Sequence, residues 1–286
     1  MDKKHQNGAV SDTSNLRSDL PRVTALVPAY NAAGFIGRML RSLAGQTYSN
    51  LHILISDDAS ADDTLAVCRD FATTRGNVTV VAQADNLGWV GNSNYLLSAA
   101  SGDFVFFAFD DDELDPGYVS ALAEALVFHP EAVVAYSDML LKSYTGWSEI
   151  FSFDVLDGSS GALDRARRLL KGTATLWITF RGLYRKSACI ELGGLRRHVL
   201  GERGADWLWL LGMSLRGAFV RVPKVLYTKN KRASGVGSGW SRTFGVRVVV
   251  FLLTLREIMV SPLSLSERLR LATYAIVCKA ASLLVS

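Results

Sequence analysis

Apolar and polar positions along the first half of the chain alternate between two rhythms. Val23 to Val27 is a short apolar run that ends in Pro28-Ala29-Tyr30-Asn31. From Gly34 to Leu43 the apolar residues are Phe35, Ile36, Met39, Leu40 and Leu43, the spacing of a helix with one buried face. The pair then repeats. A strand over Leu51 to Ile55 closes on Ser56-Asp57-Asp58-Ala59-Ser60, and a helix over Ala61 to Phe71 carries Asp62 and Asp63 in its first turn, where the helix dipole favours them. Val78 to Val81 predicts a third strand, and Asn86 to Ala100 a glycine-containing turn and a helix. Phe104 to Phe109 is apolar without alternation, as in a strand buried on both faces, and a helix to Phe128 and a strand at Ala132 to Tyr136 follow it. Strands separated by helices pair in parallel through right-handed crossovers, so the expected fold class is α/β, a mostly parallel sheet sandwiched by helices.

The second half is less regular. Leu176 to Tyr184 predicts a strand or strand pair returning to the sheet, and Asp206 opens an apolar helix over Trp207 to Leu215 after the turn at Gly193-Gly194. Val220 to Tyr227 predicts a further strand, and Lys229 to Arg242 a mobile loop rich in Gly, Ser, Lys and Arg. Two apolar runs close the chain, Val246 to Leu255 and Leu271 to Val285. The first is too short to span a bilayer, and the second contains Lys279 and falls short of the ~20 apolar residues a spanning helix needs. They predict either amphipathic helices on an anionic membrane surface or a helical hairpin covering the main domain or a dimer face. The expected division is a disordered leader over 1–20, without an apolar signal core, one α/β domain over 21–238, and a basic amphipathic helical extension over 239–286.

Composition narrows the class. With 49% of its 286 residues hydrophobic, the chain can bury a large core. Cys68, Cys189 and Cys278 lie far apart, which indicates neither a disulfide framework nor a zinc site and fits a reducing, cytoplasmic setting. His5, His52, His129 and His198 form no close ligand pair. The net charge is +4, and from Trp240 onward Arg242, Arg247, Arg256, Arg268, Arg270 and Lys279 stand against Glu257 and Glu267, six minus two, which is the whole excess. The body is close to neutral and shows no basic stripe interleaved with aromatics, so no nucleic-acid partner is expected.

The densest chemistry follows the fourth strand, where Asp110, Asp111 and Asp112 stand in succession. Open α/β sheets take their ligands at the carboxyl ends of their strands. Hard divalent ions such as Mg²⁺ or Mn²⁺ accept carboxylate oxygens and share their remaining positions with substrate phosphates, so the triplet predicts a metal holding a nucleotide diphosphate; a solvated acidic turn is the alternative.

In order, Val-Pro-Ala-Tyr-Asn (27–31), Ile-Ser-Asp-Asp-Ala-Ser (55–60), Asn-Leu-Gly (86–88) with Asn94, Phe-Asp-Asp-Asp-Glu-Leu-Asp-Pro (109–116) and Gly-Ala-Asp-Trp-Leu-Trp-Leu (204–210) resemble the family 2 inverting glycosyltransferases of the GT-A fold. The likeness covers roughly Arg22 to Tyr227. It implies a nucleotide-diphosphate sugar donor, a UDP-sugar first among them, bound around Pro28, Tyr30, Asn31, Asp58, Asn94 and Asp110. Tyr30 would lie against the base and Asp58 would accept from its ring N–H; a buried tyrosine and a helix-terminal acid are the plainer alternatives. Asp111 and Asp112 would hold Mg²⁺ or Mn²⁺, although Phe109 stands where many members carry an aspartate, so the metal pair can be shifted by one within the triplet. Asp206 matches the family's general base, with a helix cap as its alternative.

The implied activity is transfer of one sugar, with inversion, to a saccharide or lipid-linked acceptor in polysaccharide biosynthesis. The implied location is the cytoplasm, with a peripheral contact at the inner face of the cell membrane through residues 240–286. A nucleotidyltransferase would show a basic glycine-rich loop after the first strand, and the stretch 28–34 has no Lys or Arg. A non-catalytic nucleotide-sugar-binding protein of the same fold is the remaining alternative.

Overall fold

A computed structural model describes residues 20–171, 176–199, 201–231 and 244–284. The expected leader, apart from residue 20, and the part of the expected loop that holds Arg232, Trp240 and Arg242 lie outside the described residues.

The first half follows the predicted rhythm: β1 (Val23–Ala29), α1 (Ile36–Ala44), β2 (Leu51–Asp57), α2 (Thr64–Ala72), β3 (Val78–Ala82), α3 (Gly88–Ala99) and β4 (Phe104–Phe107). α1 buries Ile36, Met39, Leu40 and Leu43, the stripe the sequence pattern marks. After β4 come β5 (Glu113–Leu114), α4 (Tyr118–Phe128), β6 (Ala132–Ser143), β7 (Ser148–Phe151), α5 (Ala162–Leu170), a 3₁₀ turn over Leu176–Arg181, β8 (Leu183–Arg185), α6 (Lys186–Leu192), α7 (Ala205–Ser214) and β9 (Ala218–Lys231). α8 (Phe244–Met259) and α9 (Leu265–Leu284) end the described chain.

One sheet runs in the order β3-β2-β1-β4-β8-β6-β9-β5, with β7 paired to β6. Its first four strands are parallel, with Ala29 opposite Asp57 and Leu26 opposite Phe107, so their carboxyl ends finish at one edge. Beyond β4 the sheet is mixed. The short β8 runs antiparallel to both β4 and β6, β5 runs antiparallel to β9, and β6 and β9 are parallel. β4 lies in the middle with all four residues buried, as its unbroken apolar run requires, and truncating Phe106 to Ala would cost about 3–5 kcal/mol.

Two expectations are corrected. The strand foreseen over Leu176 to Tyr184 is mostly the 3₁₀ turn, whose period of three sets Trp177 and Phe180 along one side: Phe180 stacks on Phe107 at 5.6 Å and Trp177 packs on Phe151 at 6.1 Å. Lys229 and Lys231, foreseen in a loop, are strand residues, because β9 continues beside β6 with Lys229 opposite Leu141.

The tail packs on the body. Ile258, Leu271 and Ala275 form a second core with Ala166 of α5 and with Leu211 and Leu215 at the end of α7. Buried Glu257 of α8 meets Arg196 at 3.2 Å, and Trp207 donates its indole N–H to Thr254 Oγ1 at 3.0 Å.

Candidate active site

The aligned ends of β1, β2 and β4 put three loops side by side. At the end of β1, Asn31 takes a left-handed backbone (φ 47°), and after β2 Ala59 does the same (φ 56°). The two turns are laced together: Asn31 N–H donates to Ser60 Oγ at 3.0 Å and Ala61 N–H to Asn31 Oδ1 at 2.9 Å. Non-glycine residues with positive φ are uncommon and cluster at functional sites, so two on adjacent strand ends mark this edge as built for more than connection. Pro28 pairs with Ser56 inside the sheet, whereas the Tyr30 ring beside it is 49% exposed.

Asp58 is buried and looks toward α3. Its Oδ1 accepts from Leu87 N–H at 2.7 Å, and its own N–H donates to Ala29 O at 2.9 Å. Burial raises its carboxyl above the ordinary range, while the Leu87 and Gly88 amides pull the other way and Glu202 and Asp57 add repulsion. Glu202, from the loop before α7, accepts from Val90 N–H at 3.1 Å, so two acids from distant segments satisfy the opening amides of α3. Asn94 turns out to be a cross-link. Its amide donates to Leu195 O at 2.8 Å and accepts from Leu195 N–H at 2.8 Å, engaging it with the backbone after Gly193-Gly194. Gly194 (φ +77°) must stay small, because a Cβ there would lie 2.6 Å from Asn94 Oδ1.

The acidic triplet divides. Asp110 and Asp111 are half-buried at the open end of β4, whereas Asp112 is fully buried. Asp112 Oδ2 accepts from Tyr227 Oη at 2.8 Å and lies 3.7 Å from Arg181; Oδ1 accepts from Asn230 N–H at 3.3 Å and lies 3.8 Å from Lys229 Nζ. Both oxygens of the expected metal ligand Asp112 thus face protein donors. Asn230 also donates its side-chain amide to Asp111 O at 3.0 Å and Glu113 Oε1 at 3.1 Å, clamping the acidic turn onto β9.

Arg181 is the cation around which these groups are arranged. Its guanidinium lies over Phe109 at 4.9 Å and Trp177 at 5.8 Å, and Tyr118 Oη bonds to its carbonyl. Burial works against the charged form, but Asp112, Tyr227, Asp111 and Asp206 outweigh it and hold Arg181 above its ordinary value. Asp206, second residue of α7, adds with Asp111 to the field at Arg181 although it comes from the other half of the chain; its Oδ1 accepts from Trp207 N–H at 2.9 Å. Phe109, the departure from the familiar acidic pattern, stacks on Phe107 at 6.3 Å and Phe180 at 5.8 Å, walling the site next to Arg181.

Among the described residues no three His, Cys, Asp or Glu side chains converge as a metal cage. A hard divalent ion fits here in its other habit, carried by one or two carboxylates with phosphate oxygens and water completing the shell, and half-buried Asp110 and Asp111 at the sheet edge are donors of the right kind.

Residues 24–192, more than half of the chain, match the family model described as glycosyl transferase family 2. The chain belongs to glycosyltransferase family 2. A curated relative, the glycosyltransferase GlyA of Streptococcus pneumoniae, is 28% identical over 141 residues, which is 48% of this chain and 19% of GlyA. The GalNAc(5)-diNAcBac-PP-undecaprenol beta-1,3-glucosyltransferase of Campylobacter jejuni is 34% identical over 106 residues, 37% of this chain and 34% of that protein. The chain thus spans about a fifth to a third of these two relatives. Among solved structures, S. aureus TarS 1-349 in complex with UDP-GlcNAc superposes with a TM-score of 0.71 at 20% identity, over 89% of this chain and 71% of that one. A mannosyltransferase of Pyrobaculum calidifontis in complex with GDP-Man and Mn²⁺ superposes with a TM-score of 0.56 at 16% identity, over 94% of this chain and 77% of that one. The fold of this family 2 glycosyltransferase is accordingly the GT-A fold.

Arg181, Tyr227 and Asn230 were not legible as site residues. Each reaches the acidic turn across the sheet, and no local spacing marks such a pairing. Phe109, directly before the three acids, is the residue on which Arg181 packs, but an aromatic at that position does not by itself name its partner.

Proposed function

We propose that this glycosyltransferase moves a sugar from a UDP-sugar to a saccharide or lipid-linked acceptor, with inversion at the anomeric carbon and with help from Mg²⁺ or Mn²⁺. The observation that carries the reading is Arg181, a buried cation with Asp111 from the end of β4 and Asp206 from the start of α7 both in its field. In this reading the donor-side and acceptor-side carboxylates work within the field of one buried cation.

In this reading the exposed Tyr30 ring lies against the base, and Pro28, Asn31 and Asp58 form the wall that receives the nucleoside. Asp110 meets the ribose or shares the ion, and Asp111 holds it; Asp112 serves from behind, through Tyr227, Arg181 and Lys229, by fixing the turn that carries them. A divalent ion bound there would neutralise charge on the departing diphosphate. The acceptor oxygen attacks the anomeric carbon from the side opposite the diphosphate, its proton passes to Asp206, and the electron pair of the broken carbon–oxygen bond leaves with the diphosphate. Asn94 positions the segment leading to α7.

A UDP-sugar is favoured because the similar TarS structure holds UDP-GlcNAc, and a lipid-linked acceptor because the Campylobacter relative is named for an undecaprenol-linked one. Calorimetric titration with UDP and GDP, with and without Mn²⁺, tests the donor side. Tight binding of UDP only with Mn²⁺, weakened in Asp111→Asn, is expected; metal-independent binding equal in that variant would overturn the metal assignment.

A further inference from the structure

Beyond this reading, and independent of it, we infer that the outward face of the α8–α9 hairpin is a docking surface for an anionic lipid bilayer. The inward faces are accounted for: Ile258, Leu271 and Ala275 pack against α5 and α7, and Glu257 meets Arg196. Among the described residues, nothing covers the opposite, largely apolar faces. Leu252, Val260, Leu265, Leu269, Ile276 and Val277 are each 48–65% exposed. Leu265, Leu269 and Ile276 recur at the spacing of one helical stripe, turned away from Leu271 and Ala275.

Charge selects the occupant. Arg256 and Arg270 are exposed, while the carboxylates of the two described helices are engaged elsewhere: Glu257 is buried, and Glu267 accepts from Ser264 N–H at 2.9 Å and from its hydroxyl at 2.6 Å as a helix-capping acid. An apolar stripe with exposed arginines, whose one accessible carboxylate, Glu267, is held by Ser264 at the helix start, suits a negatively charged lipid surface. A second copy of this chain fits poorly, because an isologous contact would bring these arginines toward their symmetry mates. The surface is interfacial, since among the described residues no helix is long and apolar enough to cross a membrane.

Trp207 of α7 is bonded to Thr254 of α8, so the start of α7 rests on the hairpin.

The test is co-sedimentation of the full chain with vesicles of neutral phosphatidylcholine and with vesicles containing phosphatidylglycerol, at low and high salt, and it needs no transfer activity. Wild type should pellet with the anionic vesicles at low salt and be released by salt. Arg256→Gln and Arg270→Gln should each weaken partitioning about fivefold. Leu269→Glu combined with Ile276→Glu should abolish binding while leaving the thermal transition in place. Wild type remaining in the supernatant, or Leu269→Glu/Ile276→Glu binding as well as wild type, would overturn the inference. So would a dimer by light scattering that this double variant converts to monomer, which would assign the face to a second copy.

Discussion

Arg181 lies 3.7 Å from the carboxylate of fully buried Asp112, with Lys229 3.8 Å away on its other oxygen. Asp112 is therefore engaged by protein groups on both oxygens, and the proposed metal role falls to its neighbour in sequence. Asp112→Ala leaves Arg181 buried without its partner and should cost about 3–5 kcal/mol in a urea melt. Asp111→Asn, at a half-buried position, should cost no more than about 1 kcal/mol while weakening Mn²⁺-dependent nucleotide binding. Equal stability losses in the two variants would contradict this division of labour.

Ala59 holds φ at 56° on the turn after β2. A Cβ in the left-handed region costs ~1–2 kcal/mol, part of which glycine gives back through greater freedom of the unfolded chain. Ala59→Gly should raise stability by about 0.5–1 kcal/mol, read as a higher denaturation midpoint with an unchanged slope. A lower midpoint would mean that Ala59 makes packing contacts worth more than its backbone strain.

Glu257 ties the tail to the body and has a pH signature. Burial pushes its carboxyl above the ordinary 4.5, with Arg196, Arg216 and Arg256 opposing. The folded state then holds this proton more tightly than the unfolded chain. The stability it contributes is complete below about pH 4.5 and lost as pH climbs through the raised folded value. The stability of wild type relative to Glu257→Gln, from denaturant melts across pH 4–8, should fall as pH rises. A difference that grows with pH would show that the arginines dominate the burial.

What the sequence made legible follows from the range of the interactions. β1 to β4 and the helices between them are set by local period and by turn residues at strand ends, and Asp58, Asp111 and Asp206 could be singled out because each stands at such a boundary within a motif that resembles the family's. The insertion of β8 between β4 and β6 was not legible, since three residues carry no period and their pairing is decided by distant partners. Likewise Asn94 reads as a ligand-facing amide, and its two bonds to the backbone of Leu195 come from a segment that no local spacing links to it. Asp112 reads like Asp111 until Tyr227, Arg181 and Lys229 are brought against it by β9 and the 3₁₀ turn.

The most direct test of the account concerns Asp206. Wild type and Asp206→Asn should be compared on one donor and acceptor pair, measuring donor affinity and turnover on the same preparations and reading the product's anomeric configuration by proton NMR coupling. The amide keeps the shape of the side chain and its bond from Trp207 N–H but removes its basicity. Donor affinity should stay near wild type while turnover falls by roughly 10²-fold or more, and the wild-type product should be inverted. Near-normal turnover in folded Asp206→Asn, or a product of retained configuration, would contradict the account.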